Sequence, residues 1–303
     1  MQRILAILLG VCLVVCQACN STEQATAEKP VIISTIKPIQ ALVYAVAGGE
    51  YSAFNLKQLL PDGASPHHYA LKPSDRQALD SAKVIFQIDS GFETFLVQPL
   101  QNLGKGTTLI SLSQAAGIQH LKLRAGHAHE GHVDEDLHLW LNPQNAIAMT
   151  RQIAQQLSSV DPAHKAQYQA NAAQLIQRIH ASDQAIAQQL APLKQRPYLS
   201  FHDAWQHFDT HYQLSYAGSV SLDVSRLPGA KHVQDVRHII ESQQAVCLFQ
   251  EPQFSPALVK TLADGTGIKI GQLDPLGVNL ALTPTTYVDL LQNAATQFVE
   301  CLK

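Results

Sequence analysis

The segment His127-Ala-His-Glu-Gly-His-Val-Asp-Glu-Asp-Leu-His138 gathers four imidazoles and four carboxylates directly ahead of Leu139-Trp140-Leu141-Asn142-Pro143. A neutral imidazole nitrogen is among the commonest protein ligands for zinc, and a tract this rich in them can collect metal loosely before a folded site holds it. His127, His129 and His132 therefore read as a secondary, low-affinity metal loop, with a plain soluble insert as the blander alternative. The chemistry to expect is metal handling.

A tight site needs ligands fixed by secondary structure. In open α/β sheets, ligands bind beyond the carboxyl ends of the strands, and that rule selects particular residues. His202 follows the strand-like run Tyr198-Leu199-Ser200-Phe201, and Asp274 follows Ile268 to Leu273. His67 or His68 lies in the loop after a strand ending near Leu60, and His138 joins the histidine-rich tract to an apolar run. Three imidazoles and one carboxylate make a tetrahedral set with little residual charge, which suits zinc better than manganese or iron; copper or nickel could bind the same set in vitro.

Each candidate has a structural alternative. His202 could be a core histidine bonded to Asp203, His138 the edge of a solvated loop, and Asp274 before Pro275 an ordinary turn aspartate. His207 and His211 are spaced i, i+4 on a predicted helix, a spacing that can grip zinc. No glutamate adjoins His207 as in a metalloprotease helix, so the pair reads as surface. His120, His164, His180, His232 and His238 are scattered along the chain.

The positioning elements alternate. Val31 to Thr35 has strand composition, Pro38 opens an apolar helix to Val46, and Gly48-Gly49 ends it. Strand-like Phe54 to Leu60, a helix from Ser74 to Ala82, and strand-like Val84 to Ile88 and Thr107 to Leu112 follow. Asp161-Pro162 supplies an N-cap and first-turn proline for a helix reaching Leu190, with Tyr168, Ala172, Leu175, Ile179, Ile186 and Leu190 on one face. Residues 162–190 would span about 43 Å, which reads as a strut between domains. Beyond Pro197, strand-like 198–201, 214–217, 245–250 and 268–273 alternate with helical stretches near 204–211, 233–242, 256–263 and 286–301. The predicted class is α/β: two similar lobes with mostly parallel sheets, joined by a long rigid helix, with the site in the cleft between them. The expected division is 1–27 signal and tether, 28–160 first lobe with a histidine-rich loop at 126–137, 161–191 linking helix, and 192–303 second lobe.

Composition bounds the alternatives. At 303 residues with 46% apolar and 15% charged content the chain can bury a sizeable core, so disorder is not the default. A formal charge of −3 offers no basic stripe for phosphate, and nucleic acid is not an expected partner. Arg3 followed by the apolar run Ile4 to Val15 reads as an export signal, shorter than the roughly 20 apolar residues needed to span a bilayer. Cleavage after Ala27 competes with lipidation at Cys19, giving a protein outside the cytoplasm that is soluble or lipid-anchored. Either route removes Cys12 and Cys16 and leaves Cys247 and Cys301, which in an oxidising compartment are expected to pair, against the alternative of two inert buried thiols.

At these residues the chain resembles the zinc-binding subunits of high-affinity zinc importers of the ABC class, the ZnuA-like members of the cluster A-I solute-binding proteins. The resemblance rests on Leu60 to Asp75 (LPDGASPHHYALKPSD), His138 to Pro143 (HLWLNP), Phe201 to Trp205 (FHDAW), Glu251 to Phe254 (EPQF) and Leu273 to Gly277 (LDPLG). It implies that His67, His138 and His202 hold the metal between the lobes, that Asp274 matches the family's carboxylate position, and that Cys247 and Cys301 match a disulfide of some zinc members. It also implies Zn²⁺ as transported ligand rather than catalytic cofactor, and partnership of a monomeric protein with an inner-membrane ABC permease and its ATPase. Pro66 departs from relatives that carry an acidic residue there, which leaves Asp274 or water as the fourth ligand.

Three rival functions remain. A manganese or iron carrier of the same family would carry a carboxylate where His202 stands, and an adhesin-type member would share the fold. A zinc hydrolase would need three protein ligands, an open water position and a base such as Glu251, but the chain has no recognised hydrolytic motif, and no enzyme activity is expected.

Overall fold

The computed structural model describes residues 29–124, 134–222, 228–242 and 244–303. The predicted export signal, both predicted processing positions, and His127, His129 and His132 lie outside the described residues.

The first half builds β1 (Val31–Ser34), α1 (Lys37–Ala47), β2 (Asn55–Gln58), α2 (Pro73–Ser81), β3 (Ala82–Gln87), α3 (Val97–Gln101) and β4 (Thr108–Ser111). All pairings are parallel, in the order β2-β1-β3-β4. Central β1 reads Val-Ile-Ile-Ser without alternation and is buried throughout, as a strand covered on both faces must be. Edge strand β2 alternates exposed and half-buried positions. Pro38 starts α1, and Gly48, at φ 95°, ends it by donating its N–H to the Tyr44 carbonyl, a left-handed cap that a Cβ would penalise.

Two helices follow, α4 (Pro143–Val160) and α5 (Lys165–Leu190). Helix α4 is absent from the elements predicted above, although Asn142 caps it by accepting from the Gln144 N–H and Pro143 occupies its first turn. The strut begins later than predicted because Pro162–His164 first form a 3₁₀ turn. Along α5 the buried positions are Tyr168, Ala172, Leu175, Ile179, Ser182, Ile186 and Leu190, the predicted stripe with Ser182 filling its gap.

The second half repeats the plan with β5 (Tyr198–Ser200), α6 (Gln206–Tyr212), β6 (Tyr216–Ser219), α7 (Ala230–Glu241), β7 (Cys247–Gln250), α8 (Ala257–Ala263), β8 (Lys269–Gln272) and α9 (Thr286–Leu302). Its sheet is again parallel, ordered β6-β5-β7-β8, the same permutation as the first.

The lobes share one core. A continuous apolar cluster runs from Ile32 and Phe86 through Trp140 to Tyr198, Phe249 and Phe298. Trp140, fully buried, donates its ring N–H to the Pro275 carbonyl at 2.7 Å, and its own carbonyl accepts from the Tyr287 hydroxyl at 2.6 Å. The Lys37 ammonium reaches the Val278 carbonyl at 3.0 Å. Cys247 of β7 is bonded to Cys301 of α9, with Cα atoms 5.8 Å apart. Gly271 makes room for this junction, since a Cβ there would meet the Phe249 ring at 2.5 Å and the Cys301 sulfur at 3.0 Å.

Candidate metal centre

Three side chains converge where the carboxyl ends of the two sheets face each other. His67 comes from the loop after β2, His138 from the residue ahead of the 3₁₀ turn Leu139–Leu141, and His202 from just beyond β5. One ring nitrogen from each lies within 4.8 Å of the others. Their ring centres are 5.3 to 5.7 Å apart. His138 and His202 are buried and His67 is half-buried, whereas neighbouring His68 is exposed and stands outside this group.

The orientation of two rings is fixed from behind. Asp136 Oδ1 accepts the backbone N–H of His138 at 3.0 Å and lies 2.7 Å from its Nδ1. Glu251 Oε1, immediately after β7, does the same for His202, at 3.2 Å from the backbone nitrogen and 2.7 Å from Nδ1. A proton held at Nδ1 by a carboxylate leaves Nε2 with its lone pair forward, the tautomer a metal requires. The two Nε2 atoms are 3.4 Å apart. Two imidazoles bound tetrahedrally at about 2.0–2.1 Å from zinc would place their nitrogens about 3.3 Å apart, so this pair is already spaced for one ion. Burial opposes charge on the His202 ring, but the Glu251 carboxylate beside it prevails, with Asp203 and Asp136 assisting, and the pKa is raised.

Apolar groups close the surroundings. Phe92 packs edge-on against His67 and His138, Phe254 against His202, and Pro66, Trp140, Pro275 and Leu276 complete the wall. The free space left among them is about 10 Å³, the scale of a single water or ion. A surface groove of about 510 Å³ lies beside Gln272, Asn279 and Gln297, and none of the three histidines lines it.

Asp274 is not brought into the group. Its Oδ1 accepts from Gln253 Nε2 and from the Leu276 and Gly277 N–H groups, and its Oδ2 accepts from the Val278 N–H at 2.6 Å. The carboxylate thus organises the turn that carries Pro275 and Leu276 to the cavity. His207 and His211 do not form a pair either: His207 Nε2 lies 2.9 Å from the Asp136 carbonyl and His211 Nε2 2.8 Å from Asp183 Oδ1.

Asp136 and Glu251, in their roles behind the rings, escaped the sequence reading. A signal for each existed: Asp136 stands two residues before His138, and Glu251 ends a strand neighbouring the one that His202 ends.

Across residues 32–301 the sequence matches the family described as zinc-uptake complex component A, periplasmic. The high-affinity zinc uptake system protein ZnuA of Brucella abortus (strain 2308) is 36% identical over 312 residues, covering 91% of this chain and 92% of that protein. A crystal structure of ZnuA superposes with a TM-score of 0.79 at 25% identity, covering 91% of this chain and 100% of the other. The periplasmic zinc binding protein TroA from Treponema pallidum, at 21% identity, shares the fold with a TM-score of 0.80, covering 90% and 99%.

Proposed function

This chain belongs to the zinc-uptake complex component A family, and we propose that it captures Zn²⁺ in the periplasm and hands it to the membrane permease of an ABC importer, whose ATPase drives uptake. The supporting observation is the 3.4 Å approach of the His138 and His202 Nε2 atoms, each ring held from behind by a carboxylate. The ligands in this reading are His67, His138 and His202, one from the first lobe's β2 loop, one from the cleft edge and one from the second lobe. Water completes the tetrahedron. Asp274 would join only if the turn at 275–278 released it.

The cargo is an ion, and no bond is made or broken in it other than to ligands. Three convergent imidazoles, two of them backed by carboxylates, in a chain with no recognised hydrolytic motif favour a binding protein over a hydrolase. Imidazole-rich coordination favours zinc over the manganese or iron alternative. We assign residues 28–160 and 192–303 to the two lobes and 161–191 to the strut, with the protein working as a monomer and anchored through Cys19 or freed by cleavage after Ala27. His127, His129 and His132 serve as the secondary, weaker collection point.

Equilibrium competition between the purified protein and a chromogenic chelator tests the ligand set. One zinc per chain is expected, with His138→Ala and His202→Ala each losing high-affinity binding, and anomalous scattering at the zinc edge locating the ion among the three imidazoles. Unchanged affinity in His138→Ala would overturn the assignment.

A further inference from the structure

Arg124 lies in the first half of the chain, and its guanidinium is spent entirely on the second. One nitrogen donates to Asp203 Oδ1 and another to Asp209 Oδ1 at 2.7 Å, while its central carbon sits 4.0 Å above the ring centre of Tyr216. Asp203 is the chain neighbour of His202. Asp209, almost wholly buried, accepts through its other oxygen from the Tyr198 hydroxyl at 2.8 Å.

The surrounding segment is bolted across the same boundary. Residues 121–124 and 134–136 run antiparallel, with the Leu123 N–H donating to the Asp134 carbonyl and the Asp136 N–H to the Leu121 carbonyl. Gln206 Nε2 of α6 donates to the Lys122 carbonyl at 2.9 Å, and His207 meets the Asp136 carbonyl. One leg of this stem therefore ends in Arg124, which grips the residue beside His202, and the other ends in Asp136, which orients His138. Metal ligands from both lobes are tied to one short piece of backbone.

We infer that Arg124 is a positioning residue that holds the lobes closed on the bound cation, so that losing its fork speeds metal release although no ligand is removed. This rests on the zinc-capture reading above. A planar guanidinium can serve two carboxylates and an aromatic face at once, which an ammonium cannot. Without it, Asp203 and Asp209 lose the cation they share across the boundary, a cost that parting the lobes to water relieves. Electrostatics alone predicts the opposite sign, because an unneutralised Asp203 beside His202 would hold a cation longer. The direction of the change therefore separates a latch from a charge effect.

The test is stopped-flow release of zinc from the loaded full-length protein into excess chelator, for wild type, Arg124→Met, Arg124→Lys and Asp209→Asn. Every variant should still bind one zinc. Release should be at least about 10-fold faster in Arg124→Met, the order expected when one partner of a buried charge pair is truncated. Arg124→Lys should fall between it and wild type, and adding Asp209→Asn to Arg124→Met should add little. Release that is unchanged or slower in Arg124→Met overturns the latch, as does a lower melting temperature of the metal-free protein with no change in rate, which marks a merely structural role. If Arg124→Met does not fold, Arg124→Lys and Asp209→Asn carry the same comparison. A wild-type protein that binds no zinc overturns the capture reading itself, a result distinct from an unaltered rate.

Discussion

Glu251 Oε1 accepts both the backbone N–H and the Nδ1 proton of His202, so a single carboxylate oxygen fixes where the ring sits and which nitrogen it offers. The charge also raises the ring's proton affinity, and by the same electrostatics its affinity for a dication. Glu251→Gln keeps an acceptor but removes that charge. Zinc affinity should fall about 10- to 100-fold, the usual cost of losing a partner behind a metal-ligating histidine, without change in stoichiometry. Chelator competition at constant pH measures this, and an unaltered affinity would show that Glu251 contributes packing only.

Glu93 gives a second prediction, on stability. It is fully buried, and burial pushes its pKa up from 4.5 to about 7, against hydrogen bonds from the Ile88 and Asp89 N–H groups and the Thr35 hydroxyl. A carboxyl whose folded pKa is raised contributes stability that is complete below about pH 4.5 and is lost as pH rises through about 7, because the unfolded chain ionises first. The loss across that window is on the order of 3 kcal/mol. Glu93→Gln should flatten the decline in melting temperature between pH 5 and pH 8 relative to wild type, whatever its offset at pH 5. Parallel profiles for the two proteins would refute the buried-acid account.

Why the cleft was legible and its supports were not has a physical basis. β1 and β7 announce themselves through apolar runs that suit strands covered on both faces, and the end of a parallel strand is where a ligand can approach. His202 and the β2 loop followed from that rule, though the loop offered His67 and His68 equally. The family resemblance points to His67, and the fold sets His67 beside His138 and His202 while leaving His68 exposed. Asp274 obeyed the same positional rule, but the direction of its carboxylate is set by three backbone N–H groups of its own turn, which composition does not report. β6 begins two residues later than its apolar content suggests, because Gln213 takes a left-handed φ of 60° and the Leu214 N–H is spent on the Asp209 carbonyl. Arg124 meets Asp203 and Asp209 across 79 and 85 positions, a pairing no local pattern could disclose.

The disulfide makes a third case. Cys247–Cys301 closes a loop of 54 residues and ties α9 to a central strand. Chain-entropy reasoning gives about 4 kcal/mol for a loop of this size. Cys301→Ser should lower the melting temperature markedly and leave zinc affinity within about two-fold, since the three clustered histidines all lie on segments other than α9. A large loss of affinity would mean that α9 transmits to the cleft.

Metal removal supplies the last test. The proposed ligands come from both lobes, yet Trp140, Tyr287 and Pro275 already join those lobes through a shared buried core. The metal-free protein should therefore remain folded and unfold in one cooperative transition, with zinc adding stability through linkage alone. At free zinc 100-fold above the dissociation constant the gain is about 2.7 kcal/mol, and it grows with the logarithm of free zinc. Calorimetric scans in zinc buffers should show a single peak that moves upward with free zinc in wild type and stays fixed in His138→Ala. Two separated peaks without metal would mean that the lobes are independent and that the ion, rather than the core around Trp140, holds them together.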